Sequence, residues 1–311
     1  MNKNPFVKSL KKIRKNPLLS VIVVTAIAFS FIAGNVSQQV IKIKTKNSAV
    51  AAIEENKEPD LAAIQKTVLP EEGYVFDVKW GDLGKRLVED GVIDKKKLAQ
   101  AVSGTDELPA ELDKYFNGSA QKIEVNSGNA HFWVDVLWGL GLANKNEILE
   151  GGPMVERGQT ANFASTGGYT LGKQDPMVYY SKYSYITLTS DQQALVKEIA
   201  EGVYRPCCGN STAFPDCNHG MAALGLIELM VSQGFSKEEI YKTVLVFNSY
   251  WFPQTYLDIA YHFEKNNRSF TDVPASEILS KTFSSAMGYQ AVKKQIGTVE
   301  WPGFGSSGCG A

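Results

Sequence analysis

The sequence predicts a mainly α-helical protein: a single-pass N-terminal membrane anchor followed by one mostly helical globular domain with long irregular loops. Three observations predict this class. A cluster of basic residues precedes an apolar run from Leu18 to Ala33. From residue 73 onward, most apolar residues recur at helical spacing between capping residues and glycines. Only Lys122 to Val125 shows the alternation expected of a short strand.

The composition is that of an ordinary globular protein with balanced charge. The chain has 311 residues, of which 44% are hydrophobic and 11% aromatic, so it is long enough to bury a substantial core. It carries 32 basic and 33 acidic residues, which gives a net charge of -1. A balanced charge provides no general attraction for polyanions, and we expect no nucleic-acid partner.

The N-terminus has the pattern of a retained signal anchor. Residues 1–17 are basic, and the apolar run that follows is 16 residues long, near the lower limit for crossing a bilayer. Ile32 to Asn35 is a poor match to a cleavage site. The positive-inside rule keeps residues 1–17 in the cytoplasm and exports the chain beyond the anchor, residues 18–34. We therefore predict a cell-membrane protein of bacterial type whose C-terminal domain is extracytoplasmic.

A polar tether and a single domain are predicted beyond the anchor. Residues 35–72 contain no aromatic residue and many charged ones, which is typical of a linker. The folded domain is predicted to span residues 73–311. Within it, a buried helix is expected over Asn129 to Leu142, and a second one over Ala222 to Val231. Glu228 is the only charge in the second helix, and we expect a structural partner to satisfy it.

Capping patterns locate the other helices of the C-terminal half. Ser190 with Gln193, and Ser236 with Glu239, are spaced as capping boxes. The segment from Ser276 to Ile296 is predicted as one long final helix, closed by a glycine. We therefore expect everything after the first capping box to be helix and loop.

An irregular, tyrosine-rich stretch runs from Met154 to Tyr185. Long irregular segments inside a compact domain are often functional, and tyrosines on them can stack on sugars or peptides. Burial against the core is the more common use of such aromatics. This stretch is the predicted contact region for a partner protein or glycan of the cell envelope.

The most distinctive stretch of the chain runs from Tyr204 to Gly220: Tyr-Arg-Pro-Cys-Cys-Gly-Asn-Ser-Thr-Ala-Phe-Pro-Asp-Cys-Asn-His-Gly. It holds three of the four cysteines and one of the three histidines. Pro215 and Asp216 are typical of a helix start, which places Cys217 in the first helical turn. Exposed backbone N–H groups there stabilise a thiolate, so a lowered pKa is expected for Cys217.

The first interpretation of this cluster is a metal site. Its candidate ligands are Cys207, Cys208, Cys217, His219 and Cys309, with Met221 as a further sulfur. Sulfur and imidazole ligands together favour zinc or copper over hard cations. The vicinal cysteine pair differs from the Cys-x2-Cys spacing of zinc ribbons, and no second pair of that kind is present.

The second interpretation is a disulfide framework. In an exported protein, four cysteines form two disulfides by default, for example one inside the loop and one to Cys309. His219 would then be a capping or core histidine. The corresponding function is a non-catalytic, disulfide-stapled envelope module that binds its partner through Met154 to Tyr185.

The third interpretation is a nucleophilic cysteine. Tyr204, Phe214, Asp216 and Cys217 resemble the active-site stretch of the NlpC/P60 cell-wall peptidases, in which a tyrosine and paired glycines precede an Asp-Cys-Ser-Gly at the start of the central helix. The resemblance implies that Cys217 is the nucleophile. That family also requires a strand-borne histidine after the helix, whereas His262, in a segment predicted as helix, is the only later histidine. The resemblance covers one turn–helix junction, and no enzymatic activity is inferred from it.

A redox-active site is the remaining interpretation. Cys217 with a lowered pKa, the adjacent Cys207 and Cys208, and Cys309 in a glycine-rich tail could exchange disulfides. The Cys-x-x-Cys motif of thioredoxin-like proteins is absent. Taken together, the residues predict a membrane-anchored extracytoplasmic protein with a Cys/His cluster that binds a thiophilic metal, zinc or copper, or undergoes redox change.

Overall fold

A computed structural model describes residues 58–119, 122–156 and 158–303 of the chain. These residues are mainly helical, which confirms the helical part of the predicted fold class. From Pro59 onward they form one compact unit. The helices and strands, in chain order, are α1 (Leu61–Val68), β1 (Tyr74–Lys79), α2 (Leu83–Glu89), α3 (Lys95–Ser103), α4 (Ala110–Asp113), β2 (Lys122–Val125), α5 (Ala130–Ala143), α6 (Glu147–Gly151), α7 (Pro153–Glu156), α8 (Ser190–Gly202), α9 (Asn218–Ser232), α10 (Lys237–Trp251), α11 (Pro253–Lys265), α12 (Ala275–Ile278), α13 (Lys281–Ser284) and α14 (Ala286–Ile296).

Two helices, α5 and α9, form the centre of the domain. Almost every residue of each is buried, as expected for helices that are apolar on all sides. They pack against each other along their length. Gly141 and Gly225 make the approach close, because a Cβ on Gly141 would lie 2.1 Å from the Met221 carbonyl oxygen. This close packing makes the pair of helices a rigid support for the loops that adjoin the helix ends.

The folded domain begins earlier in the chain than residue 73, the predicted start. Asp60 caps α1 by accepting hydrogen bonds from the N–H groups of Ala62 and Ala63. Ile64 and Val68 of this helix are buried in the main core. The predicted anchor, residues 18–34, and most of the predicted tether lie outside the described residues. No helix in the described ranges is both long and apolar enough to cross a bilayer.

The predicted strand over Lys122 to Val125 is present as β2, and it has a partner that the sequence did not indicate. Strand β1 pairs with it in an antiparallel register that sets Tyr74 opposite Val125 and Phe76 opposite Ile123. The two strands form one small sheet. The described chain after β2 contains helices, turns and isolated bridges, and no further strand.

Helix caps explain where the C-terminal half agrees with the prediction and where it differs. The capping box of Ser236 with Glu239 is confirmed, whereas the box at α8 is formed one residue earlier, by Thr189 with Gln192. The single final helix predicted over Ser276 to Ile296 is wrong. It is broken into α12, α13 and α14, because Ser280 and Ser285 leave the helical conformation. Ser285 then caps α14 by accepting a hydrogen bond from the Gly288 N–H.

Candidate metal centre

The loop between α8 and α9 has a fixed backbone. The Thr212 N–H donates to the Val203 carbonyl at 2.8 Å, so the loop closes on itself. The Ala286 N–H, from the start of α14, donates to the Cys208 carbonyl at 2.9 Å. Side chains of this loop therefore project from a backbone that is anchored to the rest of the domain.

This loop brings three cysteine sulfurs together. The Sγ atoms of Cys207, Cys208 and Cys217 all lie within 4.8 Å of one another. The distance from Cys207 Sγ to Cys217 Sγ is 3.4 Å. All three cysteines are free, so the disulfide predicted inside the loop is not formed among these residues. Cys207 is exposed while the other two are partly buried, and the group therefore opens to solvent at Cys207.

Cys217 occupies the N-cap of α9, one residue before the first helical turn in which it was predicted. Its backbone is extended, and its Sγ accepts a hydrogen bond from the Gly220 N–H at 3.4 Å. The first N–H groups of a helix lack partners within the helix and carry partial positive charge. The sulfur thus takes the place of the side-chain oxygen that caps most helices.

The side chain of Arg205 is fully buried and holds the site together. Its Nε donates to Cys217 Sγ at 3.0 Å, and its Nη1 donates to the Asn210 carbonyl at 3.2 Å. Its Nη2 donates to the Phe214 carbonyl at 3.2 Å and to Asp216 Oδ1 at 2.8 Å. A guanidinium has five N–H donors in a rigid fork, and this one uses them to connect the loop with the helix start.

Gly220 provides the space that the guanidinium occupies. A Cβ at this position would lie 2.4 Å from both Cζ and Nη2 of Arg205. Such a contact is shorter than any van der Waals approach, and Arg205 is too enclosed to move aside. The buried arginine therefore requires a glycine at position 220, although the two residues lie 15 positions apart in the sequence.

Asp216 completes the charge balance around Arg205. One carboxylate oxygen accepts from Arg205, and the other accepts from Asn210 Nδ2 at 2.7 Å. The Cys208 thiol lies 3.7 Å from the same Oδ1 atom. The carboxylate is therefore bonded on both oxygens and borders the sulfur group at Cys208.

The three thiols differ in their acidity. Hydrogen bonds from Cys207 and Cys208, helped by the positive charge of Arg205, hold the pKa of Cys217 well below its ordinary value in spite of burial. Hydrogen bonding to Cys208 and Cys217 raises the pKa of Cys207. Burial opposes the charge on Arg205, but the negative sulfurs outweigh burial and raise its pKa. The expected thiolate at Cys217 therefore has a structural basis, and it lies beside a neutral Cys207.

Among the described residues, the predicted ligand His219 is not part of the three-sulfur group. His219 is buried, with its ring centroid 4.4 Å from that of Phe252 and 5.8 Å from that of Trp251. Its packing against these rings is that of a core histidine. Cys309 lies outside the described residues, so its role as a ligand stays a prediction. Met221 is fully buried in α9.

The prediction that Glu228 has structural partners is confirmed. Asn144 Nδ2 donates to Oε2 at 2.8 Å, and Asn146 Nδ2 donates to Oε1 at 2.6 Å. The amide oxygens of both asparagines are occupied, because they accept from the backbone N–H groups of Ile186 and Ile148. Burial raises the pKa of Glu228 well above its ordinary value, although these hydrogen bonds oppose the shift.

Tyrosines of the stretch from Met154 to Tyr185 serve mainly to fix that stretch to the core. Tyr169 is buried and its hydroxyl donates to the Val92 carbonyl at 2.8 Å. Tyr179 is also buried, and its hydroxyl accepts from the Gln174 N–H at 2.8 Å. These two rings are therefore unavailable for stacking on a ligand, and binding of a partner or glycan here stays a prediction.

Arg205 is the site residue that the sequence analysis missed. Arg205 and Asp216 are the only Asp, Glu, Lys or Arg residues between Tyr204 and Gly220. They flank Cys207 and Cys208 in the sequence, and Cys217 directly follows Asp216. An opposite-charge pair at the two ends of a cysteine-rich loop was the available signal. What it could not indicate was that the arginine is buried and contacts a sulfur.

The likeness to NlpC/P60 peptidases remains local, because helices α10 and α11 follow α9 where that family has its histidine-bearing strand, and His262 lies on α11. Comparisons of the chain with models of protein families, with curated proteins and with solved structures give no significant match. The chemistry of the site must therefore be argued from its own geometry.

Proposed function

We propose that this protein binds one thiophilic metal ion, zinc or copper, through Cys207, Cys208 and Cys217. The observation that carries the proposal is the approach of the three sulfurs to within 4.8 Å of one another. One ion with metal–sulfur bonds of about 2.3 Å can contact three sulfurs spaced in this way. Thiolate ligands select zinc and copper(I) over magnesium, calcium or manganese.

The surroundings of the sulfurs suit a metal that carries excess thiolate charge. Three thiolates around a divalent zinc leave a net negative charge, and a monovalent copper leaves more. The guanidinium of Arg205, in contact with Cys217 Sγ, offsets part of it. Substitution of an outer-shell group that orients a metal ligand commonly lowers metal affinity by about 10–100-fold.

A fourth ligand position remains open on the exposed side of Cys207. Zinc prefers four ligands, whereas copper(I) accepts three thiolates. Water, Cys309 or a group from another molecule would fill this position for zinc. We further propose that residues 18–34 anchor the chain in the cell membrane, so that this open position faces the extracytoplasmic space.

Metal analysis of the full chain tests the proposal. The protein is purified in detergent, reduced and without chelator, and its metal content and thiol count are measured by native mass spectrometry and alkylation. We expect one ion per chain and three sulfurs that react with alkylating reagent only after metal removal. Cobalt substituted for zinc should show intense sulfur-to-cobalt charge-transfer bands.

Serine variants identify the ligands. Cys207→Ser, Cys208→Ser and Cys217→Ser should each weaken zinc binding by more than the roughly 10–100-fold that outer-shell changes cause. Cys309→Ser decides whether the tail supplies a fourth sulfur, because only then does it lower the number of sulfur ligands seen by cobalt spectroscopy. A folded chain that binds neither zinc nor copper, or whose three serine variants bind as well as the parent, would overturn the proposal.

The membrane proposal has its own test. In intact cells, after metal removal, a membrane-impermeant maleimide should label exposed Cys207 if the domain is extracytoplasmic. Labelling only after the cells are lysed would refute the predicted orientation.

A further inference from the structure

We propose that Cys207 and Cys217 form a reversible dithiol–disulfide couple that reacts with external disulfides, and that its oxidation expels the metal ion. The first half of this inference concerns the metal-free protein and is independent of the proposed function. The second half rests on the proposed metal site.

The positions of the two sulfurs carry the first half. Cys207 Sγ and Cys217 Sγ are 3.4 Å apart and in direct contact. A disulfide bond is about 2.05 Å long, so bond formation needs an approach of roughly 1.4 Å, within reach of side-chain rotation. Cys217 is fixed at the start of α9, and Cys207 is the exposed partner on the loop.

Cys208 is the less suitable partner, although it belongs to the same group of sulfurs. Its thiol lies 3.7 Å from Asp216 Oδ1 and 4.0 Å from the Asn210 carbonyl oxygen, so oxygen acceptors compete for it. The Ala286 N–H also holds its backbone carbonyl. Cys208 also contacts Cys217, but a disulfide between them would require Cys208 to give up its contacts with these oxygen atoms.

Cys217 has the contacts expected of the sulfur that attacks and leaves in thiol–disulfide exchange. Arg205 Nε and the Gly220 N–H both donate to Cys217 Sγ, at 3.0 and 3.4 Å. Donors in these positions stabilise negative charge on the sulfur when the bond to Cys207 breaks. The exposure of Cys207 gives an external disulfide access to the other member of the pair.

The reaction balances without any further reagent. Cys207 loses its proton, attacks the external disulfide as a thiolate and forms a mixed disulfide. The external thiolate that leaves takes up a proton and becomes one external thiol. Cys217 then attacks the Cys207 sulfur, forms the internal disulfide and releases the second external thiol. The two cysteines lose two electrons and two protons, and the external disulfide gains them as two thiols.

Oxidation removes two of the three metal ligands at once. A disulfide sulfur is a much poorer ligand than a thiolate, so only Cys208 would remain of the sulfur group. The same two atoms would therefore hold either the metal or the disulfide bond. Bound metal should protect the couple from oxidation, and oxidation should empty the site.

Disulfide mapping of the full chain tests the couple. The metal-free protein is equilibrated with mixtures of reduced and oxidised glutathione, quenched by alkylation and digested with a protease that cleaves before aspartate. Cleavage before Asp216 separates the peptide with Cys207 and Cys208 from the peptide with Cys217. We expect these peptides to be joined by a disulfide whose amount follows the glutathione ratio reversibly.

Variants identify the partner within the first peptide. Cys208→Ser and Cys309→Ser should keep the joined peptides, and Cys207→Ser should lose them. Circular dichroism establishes that each variant is folded. Absence of the joined peptides at every glutathione ratio, or their loss in Cys208→Ser with retention in Cys207→Ser, would overturn the assignment of the couple.

Zinc release tests the second half, with zinc chosen because it has no redox chemistry of its own. Oxidised glutathione is added to the reduced, zinc-loaded chain in the presence of a chromophoric zinc indicator. We expect one zinc released for each Cys207–Cys217 disulfide formed. Formation of the disulfide with zinc still bound would refute expulsion, whereas a chain that forms the couple but never binds zinc refutes the proposed metal site and leaves the couple standing.

Discussion

Helix α9 carries two buried polar centres, one at its start and one in its middle, and they are built in opposite ways. In the middle, both oxygens of Glu228 accept hydrogen bonds from asparagines that are themselves fully occupied. At the start, every nitrogen of the Arg205 guanidinium donates a hydrogen bond, while the three sulfurs beside it lie within 4.8 Å of one another and open to solvent at Cys207. The Glu228 centre, whose hydrogen bonding is complete, helps to specify the packing of α5 against α9. The cysteine sulfurs can still bind a further atom, so the start of α9 is the candidate ligand site.

The largest effect is expected at the saturated part of the cysteine centre. Arg205→Ala removes four hydrogen bonds and leaves Asp216 without its charge partner. Breaking a buried ion pair from one side costs about 3–5 kcal/mol, and we expect the free energy of unfolding to fall by that amount. Urea unfolding followed by circular dichroism measures it.

Arg268→Ala is the matched control for that experiment. Arg268 pairs with Glu277 on the surface, where solvent screens the ion pair and leaves it little effect on stability. If both substitutions lower the free energy of unfolding equally, Arg205 does not have the structural role assigned to it.

A third buried carboxylate, Asp135 in α5, sharpens the contrast because its Oδ2 atom has no hydrogen-bond partner among the described residues. His131 Nε2 lies 3.7 Å from this oxygen, but burial lowers the pKa of the histidine and so disfavours its charged form. Burial raises the pKa of Asp135 from 3.8 to about 7. Asp135 therefore differs from both centres on α9, because it is buried and its Oδ2 atom lacks a hydrogen-bond partner among the described residues.

The pH dependence that follows from Asp135 has a definite sign. Below pH 4 the group is protonated in both states; as the pH rises towards 7, the unfolded chain releases the proton while the folded chain retains it. Stability should thus decrease over this interval, by up to about 4 kcal/mol from this group alone, and level off above it. Asp135→Asn should remove the decrease, so its gain over the parent in urea unfolding is larger at pH 8 than at pH 4.

Asp272→Asn provides the comparison for Asp135→Asn, since Asp272 is exposed. It should leave the pH profile of stability unchanged. An Asp135→Asn variant that gains equally at both pH values would show that Asp135 ionises normally in the folded protein.

A smaller effect is expected from Glu228→Gln. The side-chain oxygens of Asn144 and Asn146 accept hydrogen bonds from backbone N–H groups, so neither amide can flip. Both NH2 groups must therefore point towards residue 228. The new amide nitrogen would face a donor where the carboxylate offered an acceptor. We expect a loss of about 1–3 kcal/mol in the free energy of unfolding, with metal affinity unchanged.

Glu238→Gln, on the exposed surface, is the control for this substitution. It should change stability by less than about 0.5 kcal/mol. A change in metal affinity for Glu228→Gln at unchanged stability would contradict the conclusion that the Glu228 centre stabilises the fold and the cysteine centre binds the metal.

The smallest effect is predicted for metal binding by His219→Gln. The ring packs on Phe252 and Trp251 and is not a member of the group of sulfurs, so zinc affinity should stay within about threefold of the parent, less than an outer-shell change causes. Competition with a chromophoric chelator measures the affinity. A loss of zinc affinity comparable to that of Cys217→Ser would show that His219 is a metal ligand.

Local signals made much of the fold predictable. The capping box of Ser236 with Glu239, the buried helices and strand β2 all follow from residues near in sequence. Strand β1 was missed because its pairing partner lies about 50 residues away in the chain, and the break between α13 and α14 depends on a single serine cap. Each miss reflects a contact that periodicity does not record.

The site was predictable as a set of cysteines and unpredictable as an arrangement. The sequence indicated Cys207, Cys208 and Cys217 as ligands and a helix start at Cys217, and the structure brings these sulfurs together. It could not indicate that His219 turns towards aromatic rings, because residues two apart near a helix start can face different sides. Nor could it indicate the burial of Arg205, which depends on how the loop closes over α9.

Because a Cβ at Gly220 would lie 2.4 Å from the Arg205 guanidinium, the substitutions tolerated at position 220 depend on the residue at position 205. A lineage that keeps the arginine has no alternative at position 220. One that loses it gains the freedom to place alanine or serine there, and such a residue then blocks the arginine's return. Among descendants of this gene, the two positions should therefore change as a pair, with the arginine lost first.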